Sequence, residues 1–375
     1  MNRIFPPGRH VDLDIAAAAI TTYLTGHRLA QTDDPAERAA LHAVHAVRLG
    51  HAGRHESALE EAERAIGILR HLAGNDPRAL PQLAASLNGA GIYLSVLGRR
   101  EDALSPTAEA ARIFRKLADS DPDRYRHELA IALTNLGNRL SDLGRPKQAL
   151  APAEEAAGIY RALSAVDPGE HLPYFSASLI NLSNRLAELG RHGDALPIAE
   201  EAATIDRRLT RTDPQSHLPE LAKSLNALAI RLANVGQVST ALDRAEEVVG
   251  IYRGLARTNP DAYLRDLAVS LHNLGKILFL LGNVDQACGV AEESVDIRRM
   301  LVRKNPEAYV FLLATSLQNL AVYRANLGLR EEALSAADEA IEYLEPLAER
   351  LPEMFAAILA GIRQARAEMT RLPSR

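Results

Sequence analysis

The chain has 375 residues, 47% of them hydrophobic and only 4% aromatic with no tryptophan, and a formal net charge of -5. A core of Leu, Ala and Ile is expected; a nearly balanced charge without a long Lys/Arg block disfavours nucleic acid as partner, and no apolar stretch reaches the ~18 uninterrupted residues of a membrane span. The one cysteine, Cys288, excludes an intramolecular disulfide framework and suits a reducing compartment, so a cytoplasmic protein is expected.

Met1–His10 lacks the apolar centre of a secretory signal. Residues 11–32 predict one weak helix containing Ile15, Ala19, Tyr23 and Leu24, and residues 1–33 are read as an N-terminal capping segment. From residue 34 to 351 the chain repeats itself. Gly98, Gly144, Gly190, Gly236, Gly282 and Gly328 stand 46 residues apart, with Gly53 45 before the first. Ala-Leu pairs keep the same step from Ala103-Leu104 to Ala333-Leu334, with Ala287-Cys288 as the variant, and so do Asp121-Pro122, Asp167-Pro168, Asp213-Pro214, Asn259-Pro260 and Asn305-Pro306. A fixed period means that each unit buries its apolar face only by stacking on its neighbours. About seven repeats in one elongated domain are expected, closed by a capping helix over 352–375 in which Phe355, Ile358, Leu359 and Ile362 continue the buried stripe while Arg363, Arg366, Glu368 and Arg371 face water.

Within the unit that starts at Asp121, the Asp caps a helix opened by Pro122, and Leu129, Leu133, Leu136, Leu140 and Leu143 follow helical spacing. Gly144 supplies the left-handed stop, and Pro146 starts a second helix with Ala149, Ala153, Ala156, Ile159 and Leu163 on one face. Pro106, Pro152 and Pro197 fall early in their second helices, where a slight bend is expected. No segment alternates with period two, so the chain is read as all-α.

Leu136, Gly137, Leu140, Gly144, Ala149, Ala153 and Ala156 have the order and spacing of the tetratricopeptide repeat signature, and the match returns in successive units. The chain resembles that family over about nine tenths of its length. Two departures stand out: the unit has 46 residues instead of the usual 34, and Ala153 occupies a place where many members carry an aromatic. The longer unit is similar to kinesin light chain repeats and to arrays attached to bacterial and fungal signalling NTPases. The resemblance implies an α-solenoid, a right-handed superhelix of antiparallel helix pairs with a concave ligand groove.

A second stripe on the first helices lies two residues, roughly 200°, from the buried one. It carries Ile131, Asn135, Asn138 and Asp142, then Ala177, Asn181, Asn184 and Glu188, then Lys223, Asn226 and Asn234, Asn273 and Lys276, and Asn319 and Asn326. An amide offers donor and acceptor together, so a row of them can bracket the backbone of an extended peptide whatever its sequence. Charges at Asp142, Glu188, Lys223 and Lys276 would add side-chain preference. The competing reading of Asn135, Asn181, Asn273 and Asn319 is structural: they bond to the neighbouring repeat's backbone and fix the stack. Asn138 and Asn184 favour the ligand reading, since their equivalents change to Ile230, Lys276 and Val322. Arg139, Arg185 and Arg231 form a further row, either an acceptor for carboxylates or a solvated edge paired with acidic neighbours.

Other constellations are weaker. His42, His45, His51 and His55 cluster, but the first two occupy positions that hold Leu elsewhere and no carboxylate or Cys completes a set, so no metal is expected. His127-Glu128 lacks the second His of a zincin motif, which Ile131 replaces, and Gly89-Ala90-Gly91 lacks the strand of a dinucleotide loop. Cys288 replaces a Leu and reads as a small buried hydrophobe. Arg324 replaces a Leu at its place; its stem covers the core and its head reaches solvent or Glu339. The expected function is a non-catalytic scaffold without cofactor that binds a protein or extended peptide. The alternative is a regulatory or sensor module controlling a signalling NTPase or transcription regulator. Oligomeric state is left open.

Overall fold

The computed structural model describes residues 11–371; the expectation for Met1–His10 lies outside them. Sixteen α-helices follow one another among the described residues, with no strand: α1 Val11–Leu29, α2 Pro35–His51, α3 His55–Asn75, α4 Leu80–Val96, α5 Arg100–Ser120, α6 Pro122–Asp142, α7 Pro146–Val166, α8 Pro168–Glu188, α9 His192–Thr212, α10 Pro214–Asn234, α11 Val238–Thr258, α12 Pro260–Leu280, α13 Val284–Lys304, α14 Pro306–Asn326, α15 Arg330–Arg350 and α16 Pro352–Thr370. The chain divides into two compact units, Met1–Leu209 and Thr210–Arg375. Each is a stack of antiparallel helix pairs, as the period requires.

The punctuation that the sequence carries produces these elements. Asp121, Asp167, Asp213 and Asn259 each accept from the backbone N–H three residues on, at 3.1–3.3 Å, satisfying amides that a helix start leaves open. At the turns Gly144 has φ +67°, a backbone state in which a side chain would clash, and the other six turn glycines share it.

The apolar stripe is buried as expected: Leu129, Leu133 and Leu140 in α6, with Ala149, Ala153 and Ala156 of α7 against them. Leu136 and Leu143 are only half-buried, and Ala130, Ala132 and Gly137 join the core instead. The small residues let the paired helices approach closely. A Cβ on Gly91 would stand 2.1 Å from Thr107 Oγ1, and one on Gly137 3.3 Å from the Ala149 carbonyl.

In the first unit α2 touches α4, α4 touches α6 and α6 touches α8; in the second α10, α12, α14 and α16 do the same. The second helices of successive repeats are not packed on one another in this way among the described residues. First helices therefore form the crowded face of each unit. Across the splayed second helices, Arg70–Glu109, Arg115–Glu155 and Arg161–Glu201 in one unit, and Arg253–Glu293 and Arg299–Glu339 in the other, pair at 2.5–2.9 Å.

The ends differ from each other. In α16 Phe355, Leu359 and Ile362 are buried, and Arg363 and Arg366 pair with Glu345 and Asp338 of α15. In α1 Ala18 and Thr25 are buried, while Ile20, Tyr23 and Leu24 are exposed. Thr22 turns inward to meet His45 Nε2 at 2.9 Å, which fixes this rotation of the helix.

Candidate functional site

In each unit, columns of side chains on the first helices make up a candidate site. In the first column Asn135 Nδ2 donates to Asn88 Oδ1 at 3.0 Å, Asn273 Nδ2 donates to Asn226 Oδ1 at 3.0 Å, and Asn319 meets His272 Nε2 at 3.5 Å. Each rung spans 47 residues and joins side chain to side chain, not side chain to backbone. Asn181 shares the column but finds no hydrogen-bond partner among the described residues. Thr134, 47 residues before it, turns its hydroxyl to the Ala130 carbonyl of its own helix at 2.9 Å.

The second column holds Asn138 and Asn184, both half-buried, and the exposed Lys276. Asn138 also lacks a hydrogen-bond partner among the described residues. In the third column Ser95 Oγ donates to Asp142 at 3.4 Å, and Ser141 Oγ donates to Glu188 at 2.8 and 2.9 Å. These carboxylates keep 39% and 36% of their side chains exposed. Lys223 is exposed and pairs with Glu220, one turn back, at 2.8 Å.

Beneath these columns Arg139 and Arg185 pair with acidic neighbours, as one reading of the row expected, but they are 13% and 10% exposed and so do not form a solvated edge. Arg185 Nη1 donates to the Gly137 carbonyl at 3.3 Å and Arg139 Nη1 to the Gly91 carbonyl at 3.4 Å, each in the preceding first helix. Arg185 also pairs with Glu188 at 2.9 Å, and Arg139 with Asp142 at 3.3 Å. Burial lowers both guanidinium pKa values, opposed by those carboxylates. Tyr93 does the same job one repeat earlier: its hydroxyl donates to the Ala46 carbonyl at 3.1 Å, with the ring lying over Gly50.

In the second unit the column turns inward as a polar core. Arg298 Nη1 donates to Ser316 Oγ at 2.7 Å and to the Leu312 carbonyl, and Ser316 lies 3.3 Å from His272 Nδ1. Burial first, then the charges of Arg298 and Lys276, push the His272 pKa down to about 3, so the imidazole is neutral. Burial brings Arg298 down to about 10.

Of the other constellations, His42 and His45 do have a carboxylate. Glu61 of α3 meets His42 Nδ1 at 2.7 Å and His45 Nδ1 at 3.2 Å, all three buried, and Arg64 completes the cluster. Nineteen residues and a turn separate Glu61 from His42, so spacing within one helix does not reveal it. Among the described residues no group of three or more His, Cys, Asp or Glu is placed to hold a metal ion. Arg324 reaches Glu292, at 2.9 Å, and the Glu332 carbonyl, not Glu339, which belongs to Arg299. Cys288 is buried. No helix of the described residues is long and apolar enough to cross a membrane.

Residues 129–167, 176–210 and 267–307 match the family model of the tetratricopeptide repeat. The chain carries tetratricopeptide repeats. Among solved structures, the apo form of RapI superposes with a TM-score of 0.57 at 15% identity, over 79% of this chain and 94% of that one. Aspartyl phosphate phosphatase F from Bacillus subtilis gives 0.51 at 12% identity over 100% and 97%, and BtubC (BKLC) from P. vanneervenii gives 0.51 at 20% identity over 66% and 92%. At these identities the likeness concerns the fold alone. No curated relative matches the sequence. The tetratricopeptide segments contain Asn135, Asn138, Asp142, Asn181, Asn184, Glu188, Lys276 and Asn273, while Lys223, Asn226 and Asn319 lie outside them.

Proposed function

We propose that this protein is a non-catalytic scaffold whose crowded first-helix face holds an extended peptide or a segment of a partner protein. One observation carries the reading: Asn138 and Asn181, on successive first helices, present half-buried amides with no hydrogen-bond partner among the described residues. An amide that makes no internal bond and reaches the surface is free to exchange water for the backbone of an extended ligand. First helices about 10 Å apart and ~3.3 Å per extended residue give each repeat about three ligand residues.

The test is affinity capture from the source cell, read by mass spectrometry, with wild type and Asn138→Ala/Asn181→Ala. Loss of specific partners at unchanged thermal stability is the expected result; unchanged capture refutes the assignment. The identity of what is captured separates a scaffold from a regulatory arm, since the second requires a signalling NTPase or a transcription regulator among the partners.

A further inference from the structure

The stripe that carries Asn138 and Asn184 starts two repeats earlier, and there its chemistry changes. One and two repeats before Asn138 stand Ile92 and Val47; Val44 is the equivalent of Asn135, and Val96 that of Asp142. Val44, Val47, Ile92 and Val96 are 57%, 49%, 38% and 57% exposed. Apolar residues on one stripe of neighbouring helices, continuous with a polar surface, mark an interaction site. Around Val44 and Val47 the surface dips into a groove of about 370 Å³, lined also by Ala43, Arg48 and His51.

The stripe is continuous. Tyr93 to Ala46, Asn88 to Asn135 and Ser141 to Glu188 tie α2, α4, α6 and α8 side by side through this unit. It is also polarised. Arg48, exposed at the apolar end, forms no ion pair among the described residues. At the far end Asp142 and Glu188 show their carboxylates while Arg139 and Arg185 lie beneath, 13% and 10% exposed, so the outward surface is negative.

We infer that α2 and α4 form the apolar anchor of the same groove. Its occupant is an extended peptide with two aliphatic side chains about three residues apart, over Val47 and Ile92, an acidic group toward Arg48, and a Lys or Arg facing Asp142 and Glu188. Two steps of about 10 Å between first helices, at ~3.3 Å per residue, put that basic residue about six positions from the apolar pair. The inference rests on the peptide-scaffold reading and adds what the peptide must contain.

The experiment uses three synthetic fluorescein-labelled peptides: one with an acidic residue, a pair of Leu residues about three positions apart and an Arg about six residues on from that pair, a second with that Arg replaced by Glu, and a third with both Leu residues replaced by Ser. Anisotropy titrations are run against wild type, Val47→Ser/Ile92→Ser, Asp142→Lys/Glu188→Lys and Asn138→Ala/Asn181→Ala. The first peptide is expected to bind wild type at least about tenfold more tightly than the others, a difference of about 1.4 kcal/mol. Val47→Ser/Ile92→Ser removes that advantage over the Ser peptide, and Asp142→Lys/Glu188→Lys reverses the preference between Arg and Glu. If the amide variant weakens binding and Val47→Ser/Ile92→Ser does not, the scaffold reading stands and the anchor falls. Equal affinity for all three peptides, or none for any, overturns the anchor. So does sedimentation in which Val47→Ser/Ile92→Ser converts a dimer to monomer, since the patch then serves a second copy of the chain.

Discussion

Arg185 reaches forty-eight residues back along the chain to donate to the Gly137 carbonyl at 3.3 Å, while it grips Glu188 of its own helix at 2.9 Å. The side chain thereby ties two repeats with one buried guanidinium. Replacing it by Ala removes both the stem and the head, and a loss of about 1–3 kcal/mol is expected. Arg185→Met should recover most of that loss, because Glu188 faces water and the stem volume is restored. Thermal unfolding followed by circular dichroism measures both; equal losses for Ala and Met would mean that the charge, not the stem, holds the repeats.

Asn135→Ala strips the partner from the Asn88 amide in a half-buried place, so a loss of roughly 1–2 kcal/mol is expected, with a coupling near 1 kcal/mol in the double-mutant cycle with Asn88→Ala. Asn138→Ala, which breaks no internal bond, should stay within about 0.5 kcal/mol of wild type. Unfolding of the four variants separates the structural rungs from the open amides.

His272 gives the second unit a pH dependence of defined sign. Its folded pKa, about 3, lies below the unfolded value of 6.5, so the stability it contributes is complete above pH 6.5 and is lost as the pH falls toward 3. The unfolded chain takes up the proton first. His272→Gln keeps an amide toward Ser316 and Asn319 and is expected to flatten the difference in stability between pH 7 and pH 5. A variant that retains the full wild-type slope would place the proton elsewhere.

Removing residues 352–375 uncovers the face on which Phe355, Leu359 and Ile362 pack and breaks the pairs Arg363–Glu345 and Arg366–Asp338. Aggregation at micromolar concentration is expected in light scattering, since an open repeat end is an apolar surface in search of a partner. A monodisperse truncation with unchanged melting would show that α16 is dispensable to the array.

Much of the fold was legible because its signals are local. Asp121, Pro122 and Gly144 act within a few residues of where they stand, and the Leu129–Leu133–Leu140 spacing is a property of one helix. The bonds between repeats were not legible. Aligning the units matches Asn135 with Gly89 and Asn181, whereas its bond goes to Asn88, so the offset of 47 or 48 hides behind a period of 46. The Arg row looked solvated for the same reason: nothing in the spacing of Arg139 and Arg185 tells that Gly91 and Gly137 leave backbone within reach. Val47 and Ile92 carry no polar signal of a site in the sequence, and only their exposure in the fold reveals them.

The Arg–Glu pairs across the second helices have a consequence for how such a chain can grow. Arg115 meets Glu155 and Arg161 meets Glu201, each 40 residues ahead, so a unit owns the cation for its successor and the anion for its predecessor. A unit copied in tandem would find complementary charge on both sides. Length is thus free to drift by whole modules through gene duplication, while a graft shifted by a few residues would set mismatched side chains against one another.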